Sequence, residues 1–253
     1  MNRRAAPGVD PVAMRMHPLR SSLLGSTCAA VLCATVVAGV GSTAPAAAEA
    51  PPHADARQVA ARVQAFYDQT RNVQARFYQT YYHRLYGRYQ RSRGHVAFEK
   101  PGRFRFDYAR PNGKVIANDG RQLVMYEPGD DGHPGQHAVR DAGRAALPDA
   151  FGFLTGTTAL GRDFHLRLLD ARRWGFDGHV LELRPRQAKA HYRRIILYVD
   201  ADPKRAGVVH KVRIDDHEGN RNKLELYGMR FNRSLQDGRF AFVPPASSRP
   251  IRM

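Results

Sequence analysis

Between residues 55 and 70 the apolar positions are Val59, Val63, Phe66 and Tyr67, closing on Thr70, with Arg57, Gln58, Arg62, Gln64 and Asp68 between them. That is the spacing of one helical face, and Asp55 stands where an N-cap belongs. After Asn72 the period shortens to two. Ala75, Phe77 and Tyr81 share one side of a run that ends near Leu85, and a second run extends from Arg88 to Phe98. Arg103-Phe104-Arg105-Phe106-Asp107-Tyr108 then alternates strictly, aromatic on one face and charged on the other. This predicts a half-buried strand.

Further strands are predicted at Lys114 to Asn118, Arg121 to Glu127 and Gln136 to Arg140, with Asp119-Gly120 as a hairpin turn. The stretch Ala142 to Gly161 breaks the rhythm. It holds Leu147, Phe151, Phe153, Leu154 and Leu160, but also Pro148, Gly152 and Gly156. Such a mixture predicts one or two short helical turns that bend easily. Strands resume at Asp163 to Leu169, His179 to Arg184, Arg193 to Asp200, Val208 to Asp215 and Asn222 to Arg230. The total is about eleven short strands, spaced for consecutive antiparallel pairing. A sheet of that size with two helical pieces is predicted to bend into a partial barrel, with the helices over its mouth or concave face.

The first residues read differently. Arg15, His17 and Arg20 precede an uncharged stretch from Ser21 to Val40, and Ala46-Ala47-Ala48 follows. This is the layout of a secretory leader, predicted over 1–48, with an uncleaved membrane anchor as the alternative. The domain proper is then 49–253. Both cysteines, Cys28 and Cys33, fall in the leader. The exported domain therefore needs no disulfide and carries no thiol chemistry. Removing the leader takes away four basic residues and one acid, so the formal charge goes from +17 to +14. A basic surface suits anionic headgroups or acidic partners. The charge is spread along the chain, which argues against nucleic acid.

Candidate chemistry is sparse. The histidines, among them His165, His179, His191, His210 and His217, lack metal-ligand spacing, and no nucleophile elbow or phosphate loop occurs. Acids such as Asp163, Asp170, Glu182, Asp215 and Glu225 alternate with bases, as cross-strand ion pairs would. No catalytic residue, metal or cofactor is expected. What recurs is an apolar interior: Phe104, Phe106 and Tyr108 on one strand, Leu123 and Met125 on another. By themselves those residues fit an ordinary filled core best, and they also fit the wall of a hollow for an apolar ligand. The bent segment at 142–161 suits a lid over such a hollow.

Four stretches resemble the LolA family of outer-membrane lipoprotein carriers. They are Val73-Gln74-Ala75-Arg76-Phe77-Tyr78-Gln79, the run from Phe98 to Tyr108 with Lys100-Pro101, the hairpin from Asn118 to Pro128, and Phe240-Ala241-Phe242-Val243-Pro244-Pro245. Together they span roughly 57–245, in order and with matching spacing. The resemblance implies an open half-barrel of eleven strands covered by an N-terminal helix and a mid-chain helical lid. It implies a periplasmic carrier, not an enzyme, that shields the acyl chains of lipoproteins. Its implied partners are an inner-membrane ABC transporter that releases the cargo and an outer-membrane receptor that takes it, and its state a monomer. Phe104 matches a cavity-lining aromatic, and Phe106, Tyr108, Leu123 and Met125 are expected beside it. Lys100 stands where an arginine bonds the closed lid, which is placed at Leu147, Phe151 and Leu154; lysine keeps the charge but lacks the planar fork of donors. Two rivals stay open: a relative that carries or senses another lipid, such as a glycolipid, and a cationic scaffold for polyanions.

Overall fold

Alternation of period two becomes one antiparallel sheet. The computed structural model describes residues 55–252, apart from 131–132, 143–150, 156–157 and 190. The expected leader and Leu147 lie outside the described residues. The strands are β1 (Asn72–His83), β2 (Arg88–Glu99), β3 (Arg103–Tyr108), β4 (Val115–Asn118), β5 (Gln122–Glu127), β6 (Gln136–Asp141), β7 (Phe164–Leu169), β8 (His179–Pro185), β9 (Arg194–Val199), β10 (Val209–Asp215), β11 (Arg221–Phe231) and β12 (Arg249–Pro250). Their order across the sheet is β12-β6-β5-β4-β3-β2-β1-β11-β10-β9-β8-β7. The two ends do not meet, so the sheet is an open half-barrel, as predicted. The twelfth strand, parallel to β6, has only two residues and no periodicity to read.

This order explains where the middle of the chain must go. Strands β1 to β6 form one meander and β7 to β11 another, joined through β1 and β11. The connection from β6 to β7 therefore runs from one flank of the sheet to the other. It carries α2 (Gly152–Thr155) and α3 (Leu160–Asp163). Phe151, Phe153, Leu154 and Leu160 are buried there, packed with inner-face residues such as Phe98 and Leu183.

The amphipathic stripe near the start forms α1 (Ala56–Asp68), whose Val59, Ala60, Val63 and Tyr67 are buried. The side chain of Asp55 caps it by accepting from the Arg57 N–H at 3.3 Å. Tyr67 anchors the helix twice. Its ring meets that of Phe153 edge-on with centroids 4.9 Å apart, and its hydroxyl accepts from the Val209 N–H at 3.2 Å. Burial drives its phenol pKa far above the ordinary value, so the group stays neutral.

The outer face is partly covered as well. Val180, Ile196 and Tyr198 pack with Trp174 and Phe176. Near the other flank the tail returns: Phe240 lies under the Arg103 guanidinium and Phe242 under that of Arg105, each 5.4 Å from ring centre to carbon. The acids expected in ion pairs are found in them. Glu182 and Asp215 are each 1% exposed and share Arg194, at 2.9 and 2.7 Å. His210 contacts Asp200 at 2.8 Å, whereas His217 faces the Lys189 carbonyl at 2.7 Å, so these two do not meet.

Candidate functional site

Register assembles the inner wall. Phe106 stands opposite Ile116, and Ile116 opposite Met125. Phe104 likewise faces Asn118, which faces Leu123. Directly opposed residues in neighbouring strands lie on the same face of a sheet. The turn that holds this register is the predicted one: Asn118 accepts from the Gly120 N–H, and Asp119 from those of Arg121 and Gln122, all at 2.8 Å. Phe77 adds its ring from β1, edge-on to Tyr108 at 5.0 Å and Phe106 at 5.7 Å. It lies directly over Gly94, where a Cβ would come within 2.9 Å of the ring, so this crossing point needs glycine.

The wall does not close into a filled core. It encloses a hollow of about 270 Å³ lined by Phe104, Phe106, Tyr108, Leu123 and Met125, together with Ile116, Phe151, Ile214 and Leu224. All five positions predicted for a cavity wall border it. The lining also includes Gln79 and Asn222, whose side chains share a 2.8 Å hydrogen bond. Tyr108 bonds to Gln79 as well, although burial dominates and raises its phenol pKa. A second hollow, of about 290 Å³, continues past Gln79, Tyr108 and Ile116 toward Tyr81, His83 and Lys114. The groove thus grades from aromatic and aliphatic at one end to amide, phenol and ammonium at the other.

Ile214, Asn222 and Leu224 escaped the sequence reading. They belong to β10 and β11, and only the pairing of β1 with β11 brings them beside Gln79. Alternation does place Leu224 and Leu226 on one face of a strand, but not which partner strand they meet.

Of the expected lid residues, Phe151 enters the cavity lining and Leu154 is buried with Phe153 beside α1. The ring of Phe151 stacks on Phe98 at 5.9 Å and meets Phe106 at 6.2 Å. Lys100 was expected against the lid, of which 143–150 and 156–157 lie outside the described residues. Its ammonium donates to the carbonyls of Tyr67 and Asp68, so its charge serves the C-terminal end of α1.

The lining carries amides and a phenol but no carboxylate, imidazole or thiol. It can accept a chain of methylenes and offer hydrogen bonds to a polar group at one end. Residues 68–243 match the family described as "Outer membrane lipoprotein carrier protein LolA". The chain belongs to the LolA family. An outer-membrane lipoprotein carrier protein of Nitrosospira multiformis is 27% identical over 186 residues, covering 73% of this chain and 84% of that one. Its counterpart in Alkalilimnicola ehrlichii is 28% identical over 186 residues, covering 71% and 77%. A solved LolA superfamily protein from Nitrosomonas europaea aligns with 75% of this chain and 99% of its own, at 14% identity and a TM-score of 0.38. LolA proteins are carriers rather than enzymes. Among the described residues no helix is long and apolar enough to cross a membrane.

Proposed function

We propose that this chain works in the periplasm as a carrier of lipoproteins, holding their acyl chains in the hollow behind Phe104 and Phe106. It takes them from an inner-membrane ABC transporter, crosses as a monomer and delivers them to an outer-membrane acceptor. The observation that carries this reading is an apolar hollow stoppered by an aromatic of the mid-chain segment, in a chain of the LolA family. The leader at 1–48 supplies export.

The physics of loading and release follows from volumes and areas. Each buried CH₂ gains about 0.8 kcal/mol. Sites for drug-sized ligands usually measure about 300–1,000 Å³, and the hollow of about 270 Å³ falls just short. A long acyl chain must therefore displace Phe151, which gives up its packing on Phe98 and Phe106. That loss is subtracted from the gain of burying the chain. Affinity stays finite, as a carrier that must unload requires. The polar end at Gln79, Asn222 and Tyr108 suits the glyceryl and peptide end of the cargo.

The test is to purify the exported chain from a periplasmic extract and weigh it by native mass spectrometry. A one-to-one complex with an acylated protein is expected, and Phe104→Glu, which puts a charge on the apolar wall, should abolish it. Phospholipid or glycolipid alone would replace the cargo while keeping the cavity. An empty protein that ignores acyl chains would overturn the reading.

A further inference from the structure

On the outer face of the sheet several bases find acids. Lys211 and Lys223 both reach Glu225, at 3.1 and 2.7 Å. Arg194 and Arg213 converge on Asp215, and Arg105 on Asp107. At the middle of the sheet Arg76, His95 and Arg230 gather, and the acid beside them, Asp107 opposite His95, is already bonded to Arg105 and Arg239. Arg76 stands opposite His95 across β2, and Gln74, two residues before it, stands opposite Arg230 across β11. Neither Arg76 nor Arg230 has an ion-pair partner among the described residues. Arg239 joins them from the tail and gives one bond, of 3.3 Å, to Asp107. Arg76 and Arg230 occupy diagonal strand positions, where like charges repel, and an anion between them would relieve that cost.

The backbone shapes a seat for one. The register of β1 against β11 shifts between Gln74 and Arg76, where Gly228 and Met229 together oppose the single residue Ala75. Gly228 takes the left-handed conformation at φ 58°, the geometry of a glycine-type β-bulge. Bulges of this kind kink a strand locally and often sit beside binding sites. With no side chain on Gly228, the space above it is open, and the guanidinium of Arg76 borders that space. A Cβ there would lie 3.8 Å from both Nε and Nη2 of Arg76. Those two atoms form one edge of the guanidinium, the edge that grips two oxygens of an oxyanion at once. The surrounding hollow measures about 370 Å³ and is lined by Gln74, Arg76, His95, Arg230 and Arg239. It adjoins a more apolar hollow of about 450 Å³ that shares Arg76 and His95 and is bordered by Tyr78 and Tyr227.

We propose that this hollow on the outer face, built on the Gly228 bulge, is a binding site for a phosphoryl group carried on a larger molecule, held by the Arg76 fork with Arg230, Arg239 and His95 around it. Arg76 and Arg230, with Arg239 beside them on Asp107, offer more donors than one carboxylate uses, whereas a phosphoryl group presents three or four oxygens. The adjoining aromatic hollow takes the group that the phosphate esterifies. Both a soluble phosphate ester and a phospholipid headgroup carry this chemistry. The site faces away from the lipid cavity, so it stands or falls separately from the carrier reading.

The experiment titrates the exported protein with inorganic phosphate and with glycerol phosphate by two-dimensional NMR. In parallel, the protein is sedimented with phosphatidylcholine vesicles that contain or lack phosphatidylglycerol. Shifts at Gly228, Arg76 and His95 that saturate, and that weaken about tenfold or more in Arg76→Gln, are expected. Arg76→Lys should weaken binding too, because it keeps the charge and loses the fork. Binding of the soluble esters alone assigns a free ligand. Sedimentation that requires phosphatidylglycerol and is lost in the Arg76→Gln/Arg230→Gln double variant assigns a headgroup. Arg57→Gln, an equal loss of charge at an exposed site on α1, serves as the control. If it weakens binding as much as Arg76→Gln, or if no ligand shifts the three residues, the site does not exist.

Discussion

The rings of Phe151 and Phe98 lie nearly parallel, 23° apart, with centroids separated by 5.9 Å. Phe98 is fully buried on the inner sheet face, and Phe151 belongs to the mid-chain segment that joins β6 to β7. The contact therefore joins the wall to the segment proposed as its lid. Phe151→Ala should loosen the stopper and raise the affinity for a fluorescent fatty-acid probe, while lowering the melting temperature. Trimming a buried phenylalanine usually costs about 3–5 kcal/mol, and a segment free to collapse should lose less. Displacement fluorimetry and thermal melts check both signs. Weaker probe binding would place Phe151 in the wall rather than the stopper.

Arg194 holds two buried carboxylates at once. Burial by itself would raise the pKa of Glu182 and of Asp215. The guanidinium hydrogen bonds, from Arg194 and Arg184 to Glu182 and from Arg213 and Arg194 to Asp215, outweigh it and keep both below the ordinary range. A depressed folded pKa adds stability above the unfolded value, about 4. That stability is lost as pH falls through the folded value. Urea midpoints should thus stay level from about pH 7 to 5 and drop steeply below about 4. Arg194→Met removes the shared partner while Arg167 and Arg184 stay with Glu182 and Arg213 with Asp215, so the cost at neutral pH should be about 1.5–3 kcal/mol.

Lys100 ties the end of α1 to the tip of β2. Lys100→Met removes the charge that meets the Tyr67 and Asp68 carbonyls. The last turn should fray, with faster hydrogen exchange at Gln69 and Thr70, whose N–H groups bond back to Ala65 and Tyr67. Global stability should fall by only about 1 kcal/mol. Unchanged exchange there would mean that the helix end is held by Tyr67 and by Asn232, which accepts from the Arg71 N–H at 2.7 Å, without help from Lys100.

Much of the fold could be read locally. Strict alternation at Arg103 to Tyr108, and the Asn118-Asp119-Gly120 turn, carry their own geometry, and both appear where expected. The five inward positions of β3 and β5 follow from the same alternation. Long-range information was missing. Nothing near Gln79 indicates that Asn222 will bond to it, because the two are far apart in the chain and meet only through the β1–β11 ladder. The contact of Lys100 with the carbonyls at the end of α1 was not legible, because Tyr67 and Asp68 lie 33 and 32 residues before it in the chain. The bulge at Gly228 left no trace in the pattern either, since one extra residue in a strand looks like ordinary alternation with a slip.

The seam between β1 and β11 has a consequence for how the molecule is made. Within each meander, neighbouring strands are adjacent in sequence and can zip from tight turns. The seam instead joins Val73 to Phe231, nearly the two ends of the domain. Pairing across so long a loop is slow, because chain entropy is spent before any contact repays it. Phe104 and Phe106 belong to the first meander, Ile214 and Leu224 to the second, so the hollow exists only once the seam has formed. Synthesis must reach β11 before any greasy ligand can be captured, and a half-made chain is blind to cargo.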